Sequence, residues 1–197
     1  MFSYRAGLLF SFLLGGCIAY GQGTGGAAVA GGYQVQKTIT CSNGAVVSAH
    51  TLASRAGISI LKKGGNAIDA AIATQLVLAV VYPGAGNIGG GGFMVASLKN
   101  GRNIVIDFRE KAPAAASRDM YLDAAGNPRM NLSQNGHLAA GVPGTVAGLF
   151  ASLKYARLPF KVLITPAIAL AQNGFILTEN EARSLNDSKE AFIRYNT

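Results

Sequence analysis

The chain has 197 residues, 17 basic against 9 acidic, giving a formal net charge of +8, and half of its residues are hydrophobic. That length and apolar content suit one domain with a sizeable core and exclude a disordered chain. The basic excess does not point to nucleic acid, because Lys62-Lys63 is the only adjacent basic pair and no basic stripe with interleaved aromatics occurs.

In chain order, Arg5 precedes an apolar stretch over residues 6–19 that is too short to span a bilayer comfortably, the pattern of an export signal. Small residues in Ala19-Tyr20-Gly21 favour cleavage after Gly21. Leu14-Gly15-Gly16-Cys17 also resembles a bacterial lipobox, and in that reading Cys17 carries lipid and holds the protein on a membrane surface. Residues 1–21 are therefore read as a signal peptide and 22–42 as a flexible glycine-rich leader, with a periplasmic or secreted product. Cys41 is then alone in the mature chain, with only Lys37 as a nearby cation, and reads as a bystander. Two histidines and one mature cysteine match no zinc spacing, so neither a metal nor a cofactor is expected.

A short strand is expected at residues 45–48 and a helix at 52–63, with Lys62 and Lys63 in its last turn and Gly64 as its left-handed cap. Asn66 can cap a second helix, with Asp69 three residues on to face the free amides. That helix, residues 67–81, is interrupted only by Asp69, Thr74 and Gln75 and should be the most buried element. It falls short of the roughly 20 residues needed to cross a bilayer, and Pro83 stops it. The glycine block Gly89-Gly90-Gly91-Gly92 allows a tight turn and a close approach to a ligand. It is not a phosphate loop, since no Gly-Lys-Ser/Thr follows and a strand comes next.

Strands are expected at 93–98 and 104–107, joined by Lys99-Asn100-Gly101-Arg102, whose Asn-Gly pair signals a hairpin. The hairpin brings the glycine block and Asp107-Phe108-Arg109-Glu110 to one end, where the Arg109 guanidinium suits two-pronged binding of a carboxylate. Helices follow at 145–155, at 160–173 with Pro166 inside and Gly174 closing it, and from Glu179 after Thr178. Asp119, Asp123, His137 and Glu179 show no partner in the sequence and are assigned to surface or capping roles. From the residues alone the fold class is mixed α and β.

Six stretches then occur in a telling order: Leu61 to Ala71, Gly86 to Met94, Asp107 to Pro113, Arg118 to Asp123, Gly141 to Gly148 and Pro166 to Ala171. Over roughly residues 43–185 the chain resembles the γ-glutamyltransferases. The resemblance implies an α+β fold, a portion of the four-layer αββα sandwich of N-terminal-nucleophile hydrolases, with residues 43–197 as the N-terminal part of a large subunit. It implies transfer of the γ-glutamyl group of glutathione to water or amino acids, without cofactor, with Arg109 holding the α-carboxylate of that group.

The family resembled makes a self-cleaving precursor, and the threonine that opens the small subunit is its nucleophile. That threonine typically begins a Thr-Thr-His stretch, but here no two threonines are adjacent and none precedes His50 or His137. Thr197 cannot serve, because the mechanism needs a free α-amino group beside the hydroxyl. The catalytic residue is therefore expected beyond these residues, on a small subunit from the same precursor. Two other readings stay open: a related acylase acting on β-lactam side chains, and an exported inactive remnant or carboxylate-binding module. A partial large subunit is also expected to leave sheet edges bare and to be poorly soluble alone.

Overall fold

The computed structural model describes residues 40–195; the expected signal peptide, nearly all of the leader, and Thr197 lie outside the described residues. The first element is helix α1 (Thr51–Lys62), whose N-terminus is capped by His50, with Nδ1 accepting the Leu52 N–H at 3.1 Å. As expected, Gly64 takes a positive φ of 90° just beyond the helix and turns the chain back.

Helix α2 (Ala67–Val81) opens with the expected capping box: Asn66 Oδ1 accepts from Ile68 and Asp69, and Asp69 Oδ2 accepts the Asn66 N–H at 2.7 Å. Asp69 is fully buried and does more than cap. It also accepts the backbone N–H groups of Arg157 and Leu158 at 3.0 and 2.9 Å, while Asn66 Nδ2 donates to the Tyr155 carbonyl at 2.7 Å. These bonds tie the start of α2 to the turn that precedes helix α5 (Phe160–Asn173).

The core is built around α2, as its uninterrupted apolar sequence predicts. Ile72, Ala73, Val77 and Val81 are completely buried, with Ala53 and Ile60 of α1, Leu149 of α4 (Thr145–Ser152) and Leu163 of α5 in the same cluster. Gly57 lets α1 lie close, since a Cβ there would meet Thr74 Oγ1 at 2.5 Å.

Strands β1 (Phe93–Ser97) and β2 (Asn103–Asp107) pair antiparallel, with Val95 opposite Val105. Leu98 N–H closes onto the Arg102 carbonyl at 2.9 Å around a three-residue loop. Gly101 alone in that loop has a positive φ, 79°, so the Asn-Gly pair forms the wider turn with a glycine bulge and not the two-residue turn. One face of the hairpin packs Met94 and Ala96 on the core and buries Ile104; the other leaves Phe93, Val95 and Val105 exposed.

The strand expected at residues 45–48 does not form. The segment lies extended beside α1, with Val46 against Gly57, but no neighbouring strand among the described residues supplies the other half of a ladder, and Val47 is exposed. Helix α4 is also shorter than expected, because it tightens into a 3₁₀ turn at Leu153–Tyr155. Helix α5 carries Pro166 through its middle without ending, and Gly174 closes it with a φ of 74°. A short helix α3 (Met130–Gln134), not anticipated from the sequence, lies in the turn-rich stretch between the hairpin and α4. Helix α6 (Glu179–Tyr195) starts at Thr178, whose Oγ1 accepts from Glu181 N–H while Glu181 Oε2 accepts the Thr178 N–H.

Candidate functional site: a glycine-lined clamp around Arg109

The antiparallel ladder runs one step past the strands: Phe108 and Gly92 exchange N–H bonds at 3.0 and 3.3 Å. Asp107 Oδ1 then accepts the Arg109 N–H at 3.0 Å, a local turn that swings Arg109 out of the sheet. The glycine block and Arg109 therefore share one end of the hairpin, as the sequence predicts.

Gly91 presses on the Arg109 strip from one side. A Cβ there would lie 2.7 Å from the Phe108 carbonyl oxygen, 2.8 Å from Glu110 N and 2.9 Å from Arg109 Cα, closer than any side chain can sit. A second wall is formed by the entry to α4: a Cβ on Gly144 would collide with the Phe108 carbonyl, and one on Gly148 with the Phe108 ring. Lys111 and Val142 exchange backbone bonds at 2.8 and 3.2 Å, so the 141–144 segment runs alongside residues 108–111. The two sides are joined to each other as well. The Gly90 carbonyl accepts from Gly144 and Thr145 N–H at 2.8 and 3.0 Å, and Asn87 Oδ1 accepts from Gly90 N–H at 3.0 Å and from the buried Thr145 hydroxyl at 2.5 Å.

The Arg109 side chain stands 63% exposed, with Nε on Glu110 Oε2 at 3.1 Å and Cζ 5.7 Å from the centre of the Phe93 ring. Its terminal Nη groups carry no hydrogen bond among the described residues, which leaves the end-on fork open to a carboxylate. The Glu110 carboxyl is held below its ordinary 4.5, chiefly by its own backbone N–H and next by Arg109, so it stays ionised beside the guanidinium. A groove of about 300 Å³ runs past Arg109, lined by Lys111, Val142, Pro143, Ala147 and Ala151. It places the cations Arg109 and Lys111 beside one acid, Asp107, whose Oδ1 is engaged by the Arg109 N–H, above an apolar floor, which suits a small carboxylate with an aliphatic body. A larger hollow of about 660 Å³ between residues 43–48 and α2 has no ionisable lining, so it has no comparable chemistry.

The other residues singled out from the sequence lie apart from the clamp. Asp119 pairs with Arg118 and Glu179 with Arg183, both at the surface. Asp123 accepts from Ala125 and Asn127 N–H at a turn, which lowers its pKa, and His137 opens a single 3₁₀ turn. Cys41 is exposed. Sequence reasoning missed Asn87 and Thr145 as a pair; each lies in one of the six stretches, Gly86 to Met94 and Gly141 to Gly148, but neither stretch says what it meets.

Residues 53–197 match the family model described as Gamma-glutamyltranspeptidase. The chain belongs to the gamma-glutamyltranspeptidase family. It is 51% identical over 158 residues to the glutathione hydrolase proenzyme of Pseudomonas sp. (strain A14), covering 80% of this chain and 28% of that protein. It superposes on the solved structure of Helicobacter pylori gamma-glutamyltranspeptidase with a TM-score of 0.78 at 51% identity, over 81% of this chain and 46% of that one. The Acylase ACY 1 proenzyme of Pseudomonas sp. (strain V22) is 39% identical over 166 residues, covering 81% of this chain and 30% of that protein. The chain thus spans less than a third of the length of these two curated relatives. Its helices and hairpin are a portion of the α+β fold shared by the transpeptidases and the related N-terminal-nucleophile acylases.

Proposed function

We propose that this chain is the N-terminal part, residues 43–197, of the large subunit of a γ-glutamyltransferase, or glutathione hydrolase, precursor. In this reading the complete enzyme passes the γ-glutamyl group of glutathione to water or to an amino acid. The observation that carries it is Arg109: an exposed guanidinium with its fork free, on a backbone pressed by glycines, beside a groove of about 300 Å³ with a mainly apolar floor. Arg109 binds the α-carboxylate end-on, and Glu110 and the Phe93 ring fix the plane of the guanidinium. The nucleophile is the N-terminal threonine of a small subunit cut from the same precursor. Its α-amino group takes the hydroxyl proton as the oxygen attacks the γ-carbonyl, the γ-amide C–N bond breaks and the amine leaves with that proton, giving a threonine ester; water or an amino acid then attacks the ester, forming the new acyl bond and restoring the threonine hydroxyl. Residues 1–21 direct export to the periplasm or medium; the alternative processing before Cys17 gives a membrane-held lipoprotein.

The test is made on the full-length precursor that carries this segment, with γ-glutamyl-p-nitroanilide as substrate. Arg109→Lys keeps the charge but loses the planar fork, so KM should rise about tenfold or more with a smaller change in kcat. An unchanged KM would remove Arg109 from the substrate. A second reading, side-chain deacylation of a β-lactam, is favoured by the identity to an acylase proenzyme; release of free amine from a glutaryl-type amide, without turnover of the γ-glutamyl anilide, would select it.

A further inference from the structure

We propose that Asn87 and Thr145 are positioning residues that set the spacing of the carboxylate clamp, an inference that rests on the reading of Arg109 above. The Arg109 strip is pressed by both Gly91 and Gly144, and neither glycine has a side chain with which to hold its place. What keeps the two sides at a fixed separation is the cross-tie behind them. The Asn87 side-chain oxygen receives both the Gly90 N–H and the Thr145 hydroxyl, and the Gly90 carbonyl receives the Gly144 and Thr145 N–H groups.

Thr145 is fully buried, and its hydroxyl is directed onto Asn87, 58 residues away in sequence. Asn87 Nδ2 in turn donates to the Ala85 carbonyl at 3.2 Å, which orients the amide so that its oxygen faces both donors. Backbone bonds alone leave the glycine block able to rotate about its soft dihedrals. The side-chain tie removes that freedom, and with it the freedom of the Arg109 peptide pressed by the two sides. Neither residue touches the substrate in this arrangement; they act through the place of the guanidinium.

The consequence is specific to one substrate group. Loosening the tie should erode the preference for a substrate that has the α-carboxylate over one that lacks it, and should leave the reactivity of the acyl carbonyl nearly unchanged. The experiment compares kcat/KM for γ-glutamyl-p-nitroanilide and for 4-aminobutyryl-p-nitroanilide, which lacks only that carboxylate, in the processed full-length enzyme. Thr145→Val and Asn87→Ala should each lower the ratio of the two values about tenfold, mainly through KM for the glutamyl substrate. Thr145→Ser keeps the hydroxyl, so it should stay within about threefold of the parent ratio.

Arg109→Lys is the control for the underlying reading. If it leaves the ratio unchanged, the carboxylate assignment fails and this inference fails with it. If it collapses the ratio while Thr145→Val and Asn87→Ala do not, the assignment stands and the positioning role is overturned. Loss of activity on both substrates alike, or failure of both variants to accumulate as processed enzyme, would mean that the tie serves the fold and not the clamp, and also overturns it.

Discussion

The helical body and the Arg109 clamp are held together by opposite means. Around α2 the structure is set by side chains: apolar groups from four helices interlock, and Asp69 spends its carboxylate oxygens on backbone N–H groups of the α2 cap and of the turn before α5. Around Arg109 it is set mainly by their absence, because Gly91 and Gly144 let backbone approach the 108–110 strip closer than any Cβ permits and Gly148 seats the Phe108 ring, with the Asn87–Thr145 pair as the one side-chain tie. The first arrangement gives stability, and the hollow beside it has no ionisable lining. The second gives an open groove whose shape is fixed although it has little core beneath it.

Substitutions in the full-length precursor can break or sharpen this contrast. The largest effect is expected from Asp69→Ala, which strands buried N–H donors at Asn66, Arg157 and Leu158 and should cost about 3 kcal/mol or more in a denaturant titration. Activity per folded molecule should survive that change, and a KM defect would blur the division between the two regions. Gly144→Ala should cost about 1–3 kcal/mol through overpacking against the Phe108 carbonyl, but its larger signature should be a raised KM for the γ-glutamyl anilide. Gly64→Ala places a Cβ at a φ of 90° in open space, where only the backbone conformation is strained. Its cost should be about 1 kcal/mol, visible in Tm with no kinetic change.

The smallest effect concerns pH. The Glu181 carboxyl is held below its ordinary 4.5, first by the Thr178 N–H and hydroxyl and then by His50, whose Nε2 lies 3.2 Å away. A depressed folded-state pKa means that its contribution is complete above that ordinary value and is lost as pH falls through the folded value. Thr178→Ala should therefore move the Glu181 titration, followed by NMR, upward toward 4.5. The variant keeps the Thr178 N–H, so the movement should be partial, and no movement would show that the Thr178 hydroxyl does not help to hold the proton off.

Legibility in the sequence followed the range of the interactions. The turn between α1 and α2 could be read because Gly64, Asn66 and Asp69 act within a few residues of one another, and the hairpin because Asn100-Gly101 sits between two apolar runs. The second side of the clamp could not be read in the same way. Gly144 and Thr145 meet Gly90 and Asn87 across more than fifty residues, and a glycine announces that space is needed without saying what fills it. The unformed strand at residues 45–48 is the converse case, a local pattern with β character whose hydrogen-bonding neighbour is not among the described residues. Likewise the length of α4 depended on its junction with the 155–158 turn, where Asp69 arrives from a distant helix.

The loop at the far tip of the hairpin governs the anion site from the other end. Arg109 follows β2 only because Phe108 faces Gly92, and that pairing descends unbroken from the three-residue loop closed by Gly101. If the strands slid by a single residue, every side chain of β2 would change faces: Val105 would turn inward, Ile104 and Ile106 outward, and the guanidinium would leave its place beside Glu110 and the Phe93 ring. The glycine at the tip thus acts as a phase stop, and the handedness of the carboxylate seat is decided several residues away from any atom that could touch a carboxylate.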